Sequence, residues 1–294
     1  MLHTWQSAVI AVITAIFAFS TASAAEPKTE LLWPKGAPGA TGEEAKDKPQ
    51  LIIYLPEKPS RAAIVICPGG GYGNFAMDHE GHQIGRWLNE NGIAGIICDY
   101  RHRGKGYGHP APLQDAQRAI RTVRSRAKEF GADPGKIGIL GFSAGGHLTS
   151  SALTHFDAGK ADADDEIERV SCRPDFGVLC YPVIAFDQPF THKGSQNNLL
   201  GKDASAELIA SMSSEKQVTD QTPPCFLWHT TEDSGVPPQN SVVFYSALIA
   251  HKVPAELHIF EKGRHGVGLA KDIPGTDGWP AACIAWLKGR GVVP

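Results

Sequence analysis

Ser143 stands in the run Gly141-Phe142-Ser143-Ala144-Gly145, the G-x-S-x-G spacing that suits a sharp strand-to-helix turn presenting a hydroxyl for attack. A serine hydroxyl is a weak nucleophile until a neighbouring base takes its proton. Twelve histidines compete for that role. His258 falls inside an apolar run, and His147 lies on the segment after the turn, where packing is its expected task. His229 ends an apolar run but precedes the segment that offers an acid. His265, in Gly263-Arg264-His265-Gly266 directly after the last apolar run, is the expected base. An acid between the two would hold the imidazole in its working tautomer. Asp233, in Thr230-Thr231-Glu232-Asp233-Ser234-Gly235-Val236-Pro237, is the preferred residue; Glu232 beside it is expected to point away, and Asp187 is a positional alternative. Nucleophile, base and acid in this order are the parts of an acyl-transfer site.

A tetrahedral intermediate carries a developing oxyanion that needs preorganised donors. The N–H of Ala144 is one candidate. The loop Pro68-Gly69-Gly70-Gly71-Tyr72-Gly73 offers Gly70 and Gly71, whose backbone can come close to a substrate. Tyr72, next to those glycines, and Arg264, beside the base, are the expected substrate-binding residues. The glycine loop is not a nucleotide-phosphate cradle, because G-x-x-x-x-G-K-[ST] is absent from the chain.

The elements that would position these residues alternate. Apolar, β-branched runs at 51–55, 62–67, 95–99, 136–140, 176–181, 225–229 and 255–260 read as strands. Between them, helical spacing predicts a helix from about Asp78 to a stop at Gly92, and another through Leu113, Ala116, Ile120, Val123 and Ala127. Further helices are expected after the elbow to about Leu153, near 206–211, over 240–250 and over 281–288. Residues 26–50, rich in Pro, Gly and Lys, are expected to wrap the surface. Buried strands alternating with amphipathic helices mean an α/β fold with a mainly parallel sheet covered on both faces. Ligands in such sheets bind at the carboxyl ends of strands, which is where every candidate residue falls.

The 294 residues suit one large domain. With a net charge of -3 and no Lys/Arg block, nothing recommends a nucleic-acid surface. Residues 1–24 hold no Lys, Arg, Asp or Glu and end in Ala22-Ser23-Ala24, which reads as a cleaved signal peptide and places the mature chain in a periplasm or outside the cell, without stable membrane insertion. Cys67, Cys98, Cys180 and Cys225 sit in strand-like runs as small core residues, and Cys172 and Cys283 lie apart from them; no disulfide framework is expected. No C-x-x-C pair or other metal-ligand spacing occurs, so neither a metal nor a cofactor is expected.

With these residues in place, the chain resembles the acetylxylan-esterase and feruloyl-esterase-like group of secreted α/β-hydrolases, related to the hormone-sensitive-lipase-like carboxylesterases. The resemblance runs through Leu32-Trp33-Pro34, Gly36-Ala37-Pro38, Pro68-Gly69-Gly70-Gly71-Tyr72, His79-Glu80-Gly81 and Pro112-Leu113-Gln114-Asp115. It continues through Gly141 to His147, Asp233 to Pro237 and Arg264-His265-Gly266. It implies an α/β-hydrolase catalytic domain over 25–294, a Ser143, Asp233 and His265 triad, and Gly70, Gly71 and Ala144 as oxyanion donors. Two departures stand out: Pro68 replaces the histidine that opens the glycine loop in lipase-like relatives, and Arg264 replaces a small residue. Residues 182–224 are the candidate cap, too mixed in polarity for a lipase lid. Asp115 and Arg118 are expected to brace the helix near the elbow, and Glu80 to make a structural hydrogen bond.

These readings predict a serine esterase acting on short acyl esters, foremost O-acetyl groups of carbohydrate such as acetylated xylan. The alternatives are a serine peptidase of the same fold, a feruloyl esterase and, from a different class, a non-catalytic binding module. A glycosidase would need a carboxylate pair for which no motif exists.

Overall fold

Segments that are apolar at every position must be covered on both faces. The strand β3 (Arg61–Cys67) is buried from Ala62 onward, with Ala63, Val65 and Cys67 in one core and Ala62, Ile64 and Ile66 in the other. The same alternation holds in β4 (Ala94–Asp99), β5 (Ala132–Phe142), β6 (Phe176–Cys180) and β7 (Cys225–Thr230). With β1 (Lys28–Leu31), β2 (Gln50–Tyr54) and the edge strand β8 (Ala255–Phe260), they form one eight-stranded sheet in the order β1-β2-β4-β3-β5-β6-β7-β8. The contacts of β2 with β1 and β4 are antiparallel, and every pairing from β4 to β8 is parallel. The computed structural model describes residues 26–294, so the leader read at 1–24 lies outside the described residues.

The helices divide between the faces. Helices α2 (Ala111–Ser125), α3 (Ser143–Thr154) and α6 (Gln239–Ala250) pack on one core; α1 (Gln83–Glu90) and α7 (Trp279–Gly289) pack on the other. Trp228 of β7 stacks on Trp279 of α7 with ring centroids 4.9 Å apart. Two short helices, α4 (Lys193–Leu200) and α5 (Ala206–Ser211), lie in the 182–224 segment between β6 and β7.

Two expectations need correction and a third is made more specific. Residues 26–50 do not merely wrap the surface: Lys28–Leu31 adds an antiparallel edge strand to β2. The helix expected from Asp78 opens with a π-helical turn, Asp78–His82, before α1 begins. Asp115 and Arg118 brace their helix, α2, against segments away from the elbow. Asp115 receives the side chain and backbone N–H of Arg101, at 2.9 Å each, together with Trp33 Nε1. Arg118 pairs with Asp165 and Glu168, both at 2.7 Å. The two residues of α2 therefore anchor the N-terminal segment and the 157–170 loop. All six cysteines are free and buried.

Candidate active site

Ser143 is held at φ +53°, a left-handed conformation that costs a non-glycine residue energy and persists only where its surroundings enforce it. The enforcement comes from glycine. A Cβ on Gly145 would lie 2.0 Å from the carbonyl oxygen of Cys67, and one on Gly141 would lie 2.1 Å from that of Gly145. Only glycine lets the start of α3 sit so close to β3 and β5. The carbonyl of Ser143 in turn accepts the Val183 N–H at 3.0 Å, which ties the elbow to the segment after β6.

The loops after β7 and β8 bring the other two residues in. His265 Nε2 lies 2.7 Å from Ser143 Oγ, and His265 Nδ1 lies 2.6 Å from Asp233 Oδ2. Asp233 Oδ1 accepts the N–H groups of Gly235 and Val236 at 3.0 and 2.8 Å, fixing the carboxylate. His229 Nε2 lies 2.8 Å from the Val236 carbonyl oxygen and 3.4 Å from Asp233 Oδ2, so its N–H is shared between the two. Burial pushes the Asp233 carboxyl up; donors from His229, His265 and the Val236 N–H outweigh burial and hold it well below the usual carboxylate range. An ionised Asp233 requires the proton on His265 Nδ1 and leaves Nε2 free to accept from Ser143. The alternative acid, Asp187, instead pairs with Lys216, and Glu232 with Lys262 at 2.9 Å.

The glycine loop follows β3 and faces the elbow. Gly70 and Gly71 have φ of +127° and +64°, and among the described residues their N–H groups find no acceptor. Asn198 of α4 donates to the Gly71 carbonyl at 2.8 Å, so the segment between β6 and β7 helps to shape this loop. Ala144 is the second residue of α3, so its N–H is among the unpaired groups of that helix start. Three N–H groups around the elbow thus have no partner among the described residues.

Not every expected residue faces the site. Tyr72 is not a substrate-binding side chain: it is 1% exposed and its hydroxyl meets His147 Nδ1 at 2.9 Å. Its φ of +58° turns the ring inward, under the loop. His147 Nε2 meets the Met212 carbonyl at 2.8 Å, so His147 is the packing residue its position suggests, clamping the glycine loop to the segment between β6 and β7. Arg264 is exposed and folds one guanidinium nitrogen onto the His265 carbonyl at 3.0 Å. Sequence reasoning missed His192, which bonds Ser195 beside Gly71 and is pushed down by burial, then by the nearby His265 charge. It also missed Asn198. Their only signal is their place on the short helix α4, His192 as its N-cap and Asn198 in its second half, which does not by itself point to the glycine loop.

The BD-FAE family profile matches residues 51–248. Endo-1,4-beta-xylanase B of Butyrivibrio fibrisolvens is 38% identical over 76% of this chain and 35% of its own length. The acetylxylan esterase of Xylanibacter ruminicola is 37% identical over 76% of this chain and 44% of its own. The chain thus spans less than half of these two curated relatives. Among solved structures, an acetyl ester-xyloside bifunctional hydrolase from Caldicellulosiruptor lactoaceticus is 44% identical, with a TM-score of 0.85 over 92% of this chain and 98% of that one. A carboxylesterase from Lactobacillus plantarum, 22% identical with a TM-score of 0.72, shares the fold.

Proposed function

The chain belongs to the BD-FAE family of α/β-hydrolase esterases, and from that premise we propose that it removes short acyl groups, foremost acetyl, from carbohydrate such as acetylated xylan. The observation that carries the reading is the continuous line Ser143 Oγ, His265, Asp233, with both hydrogen bonds at 2.6–2.7 Å. In the first step His265 Nε2 takes the hydroxyl proton as Ser143 Oγ bonds to the ester carbon. The carbonyl electron pair moves to oxygen, and the N–H groups of Gly70, Gly71 and Ala144 stabilise that charge. Collapse breaks the carbon–oxygen bond to the sugar, and His265 returns the proton to the departing sugar oxygen. Water then repeats the sequence on the acyl-serine and releases acetate.

The segment between β6 and β7, short-helical and mixed in polarity, supports a preference for short acyl groups. A long acyl chain gains about 0.8 kcal/mol for each methylene it buries, and a small pocket forfeits that gain. Arg264, exposed beside His265, would offer its remaining guanidinium donors to sugar hydroxyls. We assign the chain to a periplasmic or extracellular location on the leader-like composition of residues 1–24; among the described residues no helix is long and apolar enough to cross a membrane. The test is kcat/KM across nitrophenyl esters of two to twelve carbons, beside acetate release from acetylated xylo-oligosaccharides. Acetyl should exceed butyryl, octanoyl should be poor, and acetate should appear. A maximum at eight carbons or more without acetate release would remove the carbohydrate reading and leave the serine esterase.

A further inference from the structure

Glu80 is 2% exposed and has no part in the acyl-transfer steps, yet both its oxygens are engaged at the site. Oε2 accepts the N–H of Gly69, the residue before the two oxyanion glycines, at 2.8 Å. Oε1 accepts the hydroxyl proton of Tyr181 at 2.8 Å. The Tyr181 oxygen in turn accepts the N–H of Gly268 at 2.9 Å, in the loop that carries His265. The Tyr181 ring meets the His265 ring edge to face, with centroids 5.1 Å apart. Tyr181 adopts φ +35° at the end of β6, a strained conformation that needs such anchoring. Gly268 is also pressed against Glu80's own turn, since a Cβ there would lie 2.6 Å from the His79 carbonyl oxygen. The π-helical turn Asp78–His82 is therefore wedged between the oxyanion loop and the histidine loop.

We propose that Glu80 is a positioning residue that, through Tyr181, locks the oxyanion loop and the His265 loop into one frame. The inference rests on the serine-esterase reading above. Two loops from distant parts of the chain must keep sub-ångström register for donors and base to act on one tetrahedral centre. A buried carboxylate with a donor on each oxygen is a stiff connector, because each charge-assisted bond is short and strong. Burial pushes its carboxyl above the usual carboxylate range, and the bonds from Tyr181 and Gly69 offset part of that rise. A glutamine keeps the shape but has one acceptor oxygen for two donors, so one arm must fail.

The experiment uses the full chain as wild type, Glu80→Gln, Tyr181→Phe and the double variant. Each is normalised by titrating its reactive serine with a small fluorophosphonate. The readouts are kcat and KM on nitrophenyl acetate and Ki for an aryl boronic acid, which forms a tetrahedral adduct on the serine. The expected result is a kcat about ten- to a hundredfold lower in each single variant. Ki should rise in step while KM stays within about twofold, and the double variant should lose no more than the worse single one. A purely structural role would lower the titratable fraction and leave Ki where it was, which would overturn the proposal. Additive losses in the double variant would also overturn it. Should Glu80→Gln not fold, Tyr181→Phe decides the matter alone, since it removes one oxygen and keeps the ring. If Ser143→Ala is inactive and these variants keep wild-type Ki, the positioning role fails by itself; if Ser143→Ala turns over normally, the serine-esterase reading has failed first.

Discussion

Asp233 does two jobs with one carboxylate, since one oxygen faces His265 and the other closes its own loop through Gly235 and Val236. Substituting Asn puts an amide N–H where His265 Nδ1 needs an acceptor, so the imidazole turns to the tautomer that cannot accept from Ser143. Asp233→Asn should therefore lower kcat on the order of 10⁴-fold. Ser143→Ala and His265→Ala should each remove nearly all turnover, and combining them should add little because they act as a unit. Asp187→Asn should be mild, because its partner is Lys216 on a partly exposed surface. A larger loss in Asp187→Asn than in Asp233→Asn would move the acid to Asp187. Tyr72 gives the contrasting expectation. Its hydroxyl contacts His147 and not substrate, so Tyr72→Phe should leave KM for acetylated oligosaccharides unchanged. It should cost about 1 kcal/mol of stability, read as a melting temperature lower by about 2–4 °C.

The elbow between β5 and α3 sets how near Ser143 can come to the glycine loop after β3, and that distance is governed by glycine. Gly145→Ala would drive a methyl group into the carbonyls of Cys67 and Pro68, at 2.0 and 2.6 Å, and neither backbone atom can swing away. Gly278, before α7, has nothing within 4 Å of the added carbon and an ordinary φ of -76°. Gly145→Ala should abolish folded protein in the soluble fraction while Gly278→Ala expresses and melts like wild type; similar yields and melting curves for the two would show that the elbow has slack. The same elements explain what could be read from the chain. Strands β3 to β7 are apolar on both faces, so composition alone marks them, and the G-x-S-x-G turn is a local event of five residues. The edge strand Lys28–Leu31 carries no alternation and is mostly exposed; it is a strand only because β2 lies beside it. The Arg101–Asp115 pair and the Glu80–Tyr181 link join residues 14 and 101 positions apart, and no local pattern announces either. Tyr72 departs from its expected place for a related reason: adjacency to the glycines fixes where its backbone is, while its φ of +58° bears on where the ring points.

Acid should loosen the whole molecule before it titrates Asp233, the carboxylate that orients His265. His147 is fully buried with a donor and an acceptor already matched to its neutral ring, and burial lowers its pKa to about 4. His102 is lowered to about 4 as well, by burial and then by the charge of Lys105. In the unfolded chain both return to about 6.5, so between about pH 6.5 and 4 the unfolded state binds more protons. Stability must then rise with pH across that window, being complete above it and lost as pH falls through it. The loss from His147 alone is on the order of 3 kcal/mol. Glu80 and Glu215, raised by burial, act in the opposite sense, but His109 and His192 are lowered by burial and join the two histidines. Asp233, held low, contributes stability that disappears only below the ordinary carboxylate range. Urea midpoints should consequently fall from pH 7 to 4.5, ahead of the carboxylate collapse at lower pH. His147→Gln, which keeps a donor and an acceptor but cannot take a proton, should be less stable at pH 7 and show a shallower slope over the same interval. An undiminished slope in that variant would mean that His147 is not the group through which acid reaches the core. Because His147 holds Tyr72, and Tyr72 follows the oxyanion glycines, the wild-type Ki for a boronic acid should weaken in the same pH window in which its fold begins to give way.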